Sequence, residues 1–203
     1  MTDPTPAMII GIVTIVLVSG VIIFLSISFY ITIFGGGPFI PTPMRSVHKV
    51  LKQAKIKKGD KLYDIGAGDG RFIHFSTKEY GANAVGFELD PFVYFIARIR
   101  QIFWGWKGKI IRGNFLKHDI SDADILICYM LPKTLAKFQS KFDKELKPGA
   151  RVVSYAFHIG SWKPKLHIKK QDKISQIFVY EIPFSQGSNS KPSSSTKQNI
   201  PDL

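Results

Sequence analysis

The chain has 203 residues, 45% of them hydrophobic, and its 28 Lys and Arg against 15 Asp and Glu give a net charge of +13. This length suits one modest domain with additional segments.

The single cysteine, Cys128, excludes a disulfide within the chain, and we interpret it as a core residue. No His or Cys pair has metal-ligand spacing, so the sequence predicts no metal site. The basic excess favours contact with anionic lipid headgroups or a solvated lysine face, and no basic-and-aromatic motif predicts nucleic-acid binding.

The N-terminal part of the chain contains an uncharged run, residues 8–34, with the sequence MIIGIVTIVLVSGVIIFLSISFYITIF. A membrane span needs about 20 apolar residues, so this run predicts a transmembrane helix. A cleaved signal peptide is the alternative, but its apolar core is usually about 7–15 residues long and follows a basic start. Residues 1–7 carry one acid and no Lys or Arg. We therefore expect a short extracytoplasmic N-terminus, a retained single span over 8–34 and a Gly/Pro linker over 35–43.

The distribution of charge predicts the orientation of that span. Residues 45–58 contain six Lys or Arg and no acid, whereas no Lys or Arg precedes them. Positively charged flanks remain on the cytoplasmic side of a membrane. The N-terminus should therefore lie outside and the domain formed by residues 44–184 in the cytoplasm. The final segment, residues 185–203, has low complexity and is rich in Ser, which predicts disorder.

Helix and strand signals alternate after the linker. The first helix has Thr42 as its predicted N-cap and Pro43 as its first residue. Strands are predicted over 61–65, 84–88, 109–112, 124–129 and 151–157, and helices between them over 70–80, 91–103 and 132–146. Two final extended pieces, 165–170 and 176–182, predict an antiparallel hairpin at the sheet edge. The alternation predicts an α/β fold with a mostly parallel sheet and helices on both faces.

A glycine-rich segment, KLYDIGAGDGRF, follows the first of these strands. Glycine costs conformational entropy, so three glycines at every second position indicate that a ligand approaches the backbone closely. A dinucleotide-binding loop would read Gly-x-Gly-x-x-Gly, but its third glycine would fall on Arg71. The pattern present here places the acid first and alternates the glycines: Asp64, Gly66, Gly68 and Gly70.

This pattern resembles the first signature of the S-adenosylmethionine-dependent methyltransferases of class I, which have a Rossmann-like, mostly parallel seven-stranded sheet. The resemblance implies S-adenosylmethionine as the cofactor, whose α-amino group suits the acid Asp64 beside the loop. Glu88 ends the second strand, where this class holds the ribose, and its two oxygens can accept from vicinal hydroxyls. The segment ELKPGARVVS resembles the Lys-Pro-Gly junction that precedes the fifth strand of this fold.

The order of the segments resembles a smaller group within that class. The span, PFIPTP, a basic helix, YDIGAGDGR, GFELDPF and a late Trp-x-Pro are similar to the membrane-anchored protein-lysine methyltransferases. That group modifies the c subunit of the ATP synthase or the adenine nucleotide translocase and has prokaryotic relatives. Many relatives carry an acid near the adenine where this chain has Asn114, whose side-chain oxygen can still contact the adenine amino group. The resemblance implies a lysine of a membrane protein as substrate.

The methyl acceptor should enter beside the end of the fourth strand. Tyr129 is expected to line the pocket in which a lysine loses its proton. Phe157 and Trp162 are candidates for an aromatic wall around a methylated ammonium, with core packing as the alternative and, for Phe157 alone, the favoured interpretation. The nine linker residues reach at most ~30 Å, so the site works close to the bilayer. A membrane lipid, a quinone or another small molecule is the alternative acceptor, and a non-catalytic or nucleic-acid-directed domain is the third hypothesis.

Overall fold

The computed structural model describes residues 5–35 and 39–183, in which helices and strands alternate after a long N-terminal helix. The α-helices are α1 (Pro6–Gly35), α2 (Met44–Ala54), α3 (Arg71–Tyr80), α4 (Pro91–Trp104) and α5 (Pro132–Glu145), with one 3₁₀ turn at Phe115–Lys117. The strands are β1 (Lys61–Ile65), β2 (Asn83–Glu88), β3 (Lys109–Arg112), β4 (Ile125–Cys128), β5 (Arg151–Tyr155), β6 (Leu166–Ile168) and β7 (Ile177–Glu181).

All seven strands belong to one sheet in the order β3-β2-β1-β4-β5-β7-β6. Neighbours among β1 to β5 pair in parallel, and β7 pairs antiparallel with both β5 and β6. The predicted parallel sheet and the antiparallel hairpin at its edge are therefore confirmed. The strand order reverses at β1, which lies between β2 and β4. Ligands of open α/β sheets bind at the carboxyl ends of the strands beside such a switch point.

Helices cover both faces of the sheet. The apolar side of α5 packs on one face through Leu135, Phe138 and Phe142. On the other face, α2 contributes four fully buried residues, Val47, Val50, Leu51 and Ala54, together with apolar residues of α3 and α4. Cys128 is fully buried in the first of these cores, as predicted, and burial raises the pKa of its thiol to about 12.

Several helix ends follow from the local sequence. Asp90 caps α4, because its side chain accepts hydrogen bonds from the backbone N–H groups of Phe92 and Val93. Pro91 then occupies the first position of the helix, where its missing N–H has no cost. Gly81 and Gly105 end α3 and α4 in the left-handed conformation that glycine adopts freely.

Two predicted boundaries are wrong for identifiable reasons. Helix α2 begins at Met44 with Pro43 in the N-cap position, so Thr42 does not cap it. Thr42 is buried, and its backbone carbonyl accepts a hydrogen bond from Arg71. Strand β5 ends at Tyr155, two residues early, because Ala156 has φ of +71° and turns the chain out of the extended conformation.

Helix α1 includes one stretch, Pro6–Ile27, that is long and apolar enough to cross a membrane. Its mean hydropathy is 3.0, and none of this stretch is buried against the rest of the described chain. A signal sequence would satisfy the same test of length and composition. The predicted disorder of residues 185–203 lies outside the described residues, as do positions 36–38 of the predicted linker.

Candidate active site

A cleft of about 210 Å³ opens at the carboxyl ends of β1, β2 and β4. It brings together residues that are far apart in the chain, because the parallel strands that carry them end at one edge of the sheet. All but one of the predicted cofactor-binding residues line it, together with Tyr129: Asp64, Gly66, Gly68, Glu88 and Asn114. The exception, Gly70, lies behind the loop at the N-terminus of α3.

The glycine loop leaves space that a side chain would fill. Gly66 and Gly68 have φ of +71° and +58°, a conformation that residues with a side chain rarely adopt. A Cβ atom on Gly68 would lie 2.6 Å from the ring of Phe39, and one on Gly66 would lie 2.9 Å from the sulfur of Met130. A Cβ on Gly70 would instead clash with Trp106. Gly66 and Gly68 therefore keep the cleft open, whereas Gly70 allows α3 to pack.

Glu88 connects the end of β2 to the glycine loop. Its Oε2 atom accepts a hydrogen bond from the backbone N–H of Gly68 at 2.8 Å, and its Oε1 atom accepts from that of Asp90 at 2.9 Å. The side chain is buried, and burial raises the pKa of its carboxyl. A carboxylate has about four lone-pair sites, so these two bonds leave capacity to accept from the hydroxyls of a bound ribose.

Asp64 is the most unusual group in the cleft. It is only 2% exposed, and its Oδ2 atom has no hydrogen-bond partner among the described residues. Burial, together with the negative charge of Glu88, raises the pKa of Asp64 to about 8. A buried acceptor without a donor costs about 1–3 kcal/mol. The site therefore favours a ligand that brings a hydrogen-bond donor or a positive charge to this oxygen.

These features fit the predicted cofactor better than a dinucleotide. Asp64 offers an unpaired oxygen to an ammonium group, and Glu88 offers acceptors to ribose hydroxyls. Arg71, a cation that lines the cleft, is already paired with Asp69 and is not free to neutralise a pyrophosphate. Negatively charged phosphates would be repelled by the buried acids, whereas the ammonium and sulfonium groups of S-adenosylmethionine would be attracted.

An ion cluster around the buried Asp69, at the end of the glycine loop, could not be predicted from the sequence. Asp69 is 3% exposed and pairs with both Arg71 and Arg100, the latter on α4. Arg71 also donates to the carbonyl of Thr42. The cluster therefore fixes the loop to α3, α4 and the segment that precedes α2. The neighbours Asp69 and Arg71 could have suggested a local pair, but no local pattern indicates a partner 31 residues away.

The predicted linker also contributes to the site. Phe39, Ile40, Pro41 and Thr42 line the cleft, and the ring of Phe39 lies over Gly68. The sequence predicts these residues only as part of a Gly/Pro linker over 35–43 between the span and the domain. The contact instead places the start of the domain directly on the cofactor loop.

Asn114 lies at the mouth of the cleft after β3. Its side chain is exposed, and its Oδ1 atom accepts a hydrogen bond from the backbone N–H of Leu116 at 2.9 Å, which starts the 3₁₀ turn. An amide oxygen has a second lone pair, so a contact with an adenine amino group remains compatible with this bond. That contact stays a prediction.

Two aromatic residues line the end of the cleft that lies beyond β4 and β5. Tyr129 and Phe157 both line it, with ring centroids 6.4 Å apart in a stacked arrangement. Burial and the neighbouring Tyr155 raise the pKa of the Tyr129 hydroxyl, so it stays protonated at neutral pH. The prediction that Trp162 joins this wall is wrong. Trp162 is a core residue whose indole N–H donates to Asp143 at 3.1 Å.

Comparison with known proteins assigns this site to a family. A family model described as the ANTKMT methyltransferase domain matches residues 64–166. The chain is 38% identical over 146 residues to a protein-lysine N-methyltransferase of Saccharolobus islandicus, covering 70% of this chain and 91% of that protein. It is 28% identical over 166 residues to the human lysine N-methyltransferase named for the c subunit of ATP synthase, covering 81% of this chain and 70% of that protein.

A solved structure extends the likeness to the fold and the cofactor. The crystal structure of an RNA methyltransferase from Salinibacter ruber in complex with S-adenosylhomocysteine matches with a TM-score of 0.67 and 32% identity. The match covers 71% of this chain and 94% of that one. Fold and site together define a class I methyltransferase that uses S-adenosylmethionine. The chain belongs to the ANTKMT methyltransferase domain family.

The raised pKa of Asp64 predicts pH-dependent cofactor binding. Below about pH 8 the cofactor-free carboxyl is mostly protonated, and a positively charged ligand favours the carboxylate, so binding should release a proton. The affinity for S-adenosylmethionine should rise between roughly pH 6 and 7.5, by up to about tenfold per unit. The upper limit avoids titration of the ligand's own α-amino group, whose pKa is about 8. Calorimetry in buffers of different ionisation enthalpy counts the released protons.

The matched control for this experiment is Asp143→Asn, which removes an acid outside the cleft and should leave the pH dependence unchanged. Asp64→Asn should flatten it. A slope that persists in Asp64→Asn would show that another group releases the proton.

The hydrogen bonds of Glu88 predict that its substitution weakens the binding of S-adenosylmethionine. Glu88→Gln retains the size of the side chain but loses the charge and one acceptor oxygen. Hydrogen bonds to charged groups contribute about 1.5–3 kcal/mol, so the dissociation constant of S-adenosylmethionine should rise roughly 10- to 100-fold. Calorimetric titration measures this, with thermal unfolding to verify the fold and Asp119→Asn, at an exposed acid, as the control. Unchanged affinity in Glu88→Gln would remove this residue from the cofactor site.

Proposed function

We propose that this protein transfers methyl groups from S-adenosylmethionine to lysine side chains of a membrane-associated protein. The observation that carries the proposal is the uncharged aromatic end of the cofactor cleft. Tyr129, Phe157 and Met130 line that end, next to the glycine loop. A long, thin side chain with a terminal amine would fit such an end. The relatives are named as lysine N-methyltransferases, which supports a lysine side chain as the acceptor.

The chemistry requires a neutral amine at that end of the cleft. A lysine ammonium that enters between apolar and aromatic groups loses hydration, which lowers its pKa and favours the nucleophilic form. The protonated hydroxyl of Tyr129 can accept a hydrogen bond from the amine N–H and orient the nitrogen lone pair. When bound, S-adenosylmethionine supplies a methyl group that its sulfonium has already activated. The protein therefore contributes mainly alignment and desolvation.

Methylation of RNA is a second candidate, because the Salinibacter ruber structure is of an RNA methyltransferase and the net charge here is +13. The lining of the cleft holds four acids, however, and its cation, Arg71, is already paired with one of them: Asp64, Asp69, Glu88 and Asp90. The cleft therefore offers a phosphate backbone little electrostatic attraction. A membrane lipid, a quinone or another small molecule is the remaining alternative acceptor.

We infer further that α1 anchors the enzyme to a membrane as a single span. The apolar stretch Pro6–Ile27, none of which is buried in the described chain, supports this inference. The six basic residues within 45–58 favour a cytoplasmic domain and an external N-terminus. The proposed organisation is thus an extracytoplasmic segment (1–7), a span (8–34), a linker (35–43), a methyltransferase domain (44–184) and a C-terminal tail.

The proposed acceptor predicts the product of the reaction. Membrane extracts incubated with the full-length enzyme and S-adenosylmethionine labelled in its methyl group should incorporate label into protein, and mass spectrometry should locate it on lysine. The same extract is fractionated into protein, lipid and RNA, so each alternative acceptor has its own readout. Label found only in lipid or RNA would replace the lysine proposal.

Two variants separate binding from transfer in that assay. Glu88→Gln serves as the cofactor-binding variant and should lose incorporation at limiting S-adenosylmethionine but recover partly at saturation. Tyr129→Phe should lower transfer at every cofactor concentration, by roughly tenfold, because it removes one positioning hydrogen bond. Equal rates for Tyr129→Phe and the native enzyme would show that the hydroxyl takes no part.

The inferred orientation predicts protease resistance. In right-side-out vesicles the domain should survive added protease, because the bilayer separates it from the protease, and it should be digested once detergent opens the vesicles. An antibody against the domain detects the surviving fragment by immunoblotting. Digestion in intact vesicles would reverse the proposed orientation.

A further inference from the structure

The outer face of α4 carries a continuous apolar stripe. Five large side chains follow one another at spacings of three, four, three and one residues, which places them within an arc of about 100° on a helix. They and their exposed fractions are Phe92 (38%), Phe95 (57%), Ile99 (38%), Ile102 (78%) and Phe103 (82%). The opposite face packs on the sheet through Val93 and Ala97. Helix α4 is therefore apolar on two sides, and the domain buries only one of them.

Basic residues border this stripe. On the helical wheel Arg98 lies about 40° beyond one edge of the stripe. Arg100 lies about 60° beyond the other edge, but its guanidinium pairs with Asp69. The guanidinium of Arg100 lies 4.1 Å from the ring centroid of Trp104, at the end of the helix. Residues 91–117 contain no acid and six basic residues, namely Arg98, Arg100, Lys107, Lys109, Arg112 and Lys117. An apolar helix face within a basic, acid-free segment is typical of helices that lie in a membrane interface.

The stripe is also continuous with the proposed span. The ring of Phe24 on α1 meets that of Phe92 edge to face, with centroids 5.7 Å apart. Phe24 lies three residues, or about 4.5 Å along the helix, before the end of the apolar stretch at Ile27. The start of α4 therefore lies against the cytoplasmic half of the proposed span (8–34).

We propose that the outer face of α4, the stripe from Phe92 to Phe103, is a second membrane-binding surface that rests in the headgroup and acyl boundary of an anionic bilayer. Lipid is the occupant because the stripe begins beside the span and lies within an acid-free segment with six basic residues, 91–117, which complements an anionic surface. Leu89, Asp90 and Val93, at the N-terminal end of α4, line the cofactor cleft. Seating α4 on lipid would thus hold the active site against the membrane. The proposed anchor supports this inference by placing the stripe beside lipid, and the inference does not depend on lysine as acceptor.

Fluorescence of the full-length protein in vesicles tests the proposal. Phe103→Cys is labelled with a polarity-sensitive dye, while native Cys128 is fully buried and stays unlabelled. The vesicles contain phosphatidylcholine and phosphatidylglycerol and no other protein. The emission should shift to shorter wavelength and be quenched by lipids brominated on their acyl chains. The matched control is Lys137→Cys on the exposed side of α5, across the sheet, where aqueous iodide should quench the dye and brominated lipid should not.

The outcomes separate lipid from other occupants. A dye at position 103 that iodide quenches as well as at position 137 would overturn the proposal. Protection from both quenchers would indicate a second copy of the chain on this face and would also overturn it. A label at Ser19→Cys tests the span independently. Lipid quenching at position 19 with none at 103 would reject the α4 surface and leave the anchor in place, whereas quenching at 103 alone would support the surface and count against the anchor.

Discussion

Two buried carboxylates at the ends of neighbouring parallel strands determine the character of this site. Asp64 on β1 and Glu88 on β2 are both removed from water, and the charge of Glu88 adds to the raised pKa of Asp64. Such a pair is unfavourable in the isolated domain, because a buried acceptor on Asp64 remains without a donor among the described residues. The arrangement makes chemical sense when a ligand with positive charge and hydroxyl groups completes it, and S-adenosylmethionine has both.

The rest of the fold holds these acids and the loop between them in place. The N–H of Gly68 is fixed from the side of β2 by Glu88. Asp69 and its two arginines fix the next residue of the loop to α3 and α4. A loop restrained from both sides needs little reorganisation when the ligand binds, which reduces the entropic cost of binding. The same cluster links the cofactor site to α4, whose other face we assign to the membrane.

Sequence reasoning succeeded where the controlling interactions are local. The ends of β1 and β3 match their predictions, and Asp90 with Pro91 marks the start of α4. Strand alternation and helix caps depend on residues that are adjacent in the sequence. Sequence reasoning failed where the interacting residues are far apart in the chain. Neither the pairing of Asp69 with Arg100 nor the position of Phe39 over Gly68 leaves a local pattern.

Trp162 shows a different limit of sequence reasoning. Apolar residues that follow a strand can face either the cleft or the core, and only the packed structure distinguishes Phe157 from Trp162. The exposure of the apolar outer face of α4 could not be predicted from the sequence for a related reason. A helix that is apolar on both sides reads in sequence as a fully buried one.

The central claim, that two buried acids are completed by the cofactor, is tested most directly by a crystal structure of the full chain with S-adenosylhomocysteine. The account predicts the ligand's α-amino nitrogen within hydrogen-bonding distance of the unpaired Asp64 oxygen, and the ribose hydroxyls on Glu88. A bound ligand that contacts neither carboxylate, with the Asp64 oxygen still without a hydrogen-bond partner, would contradict it.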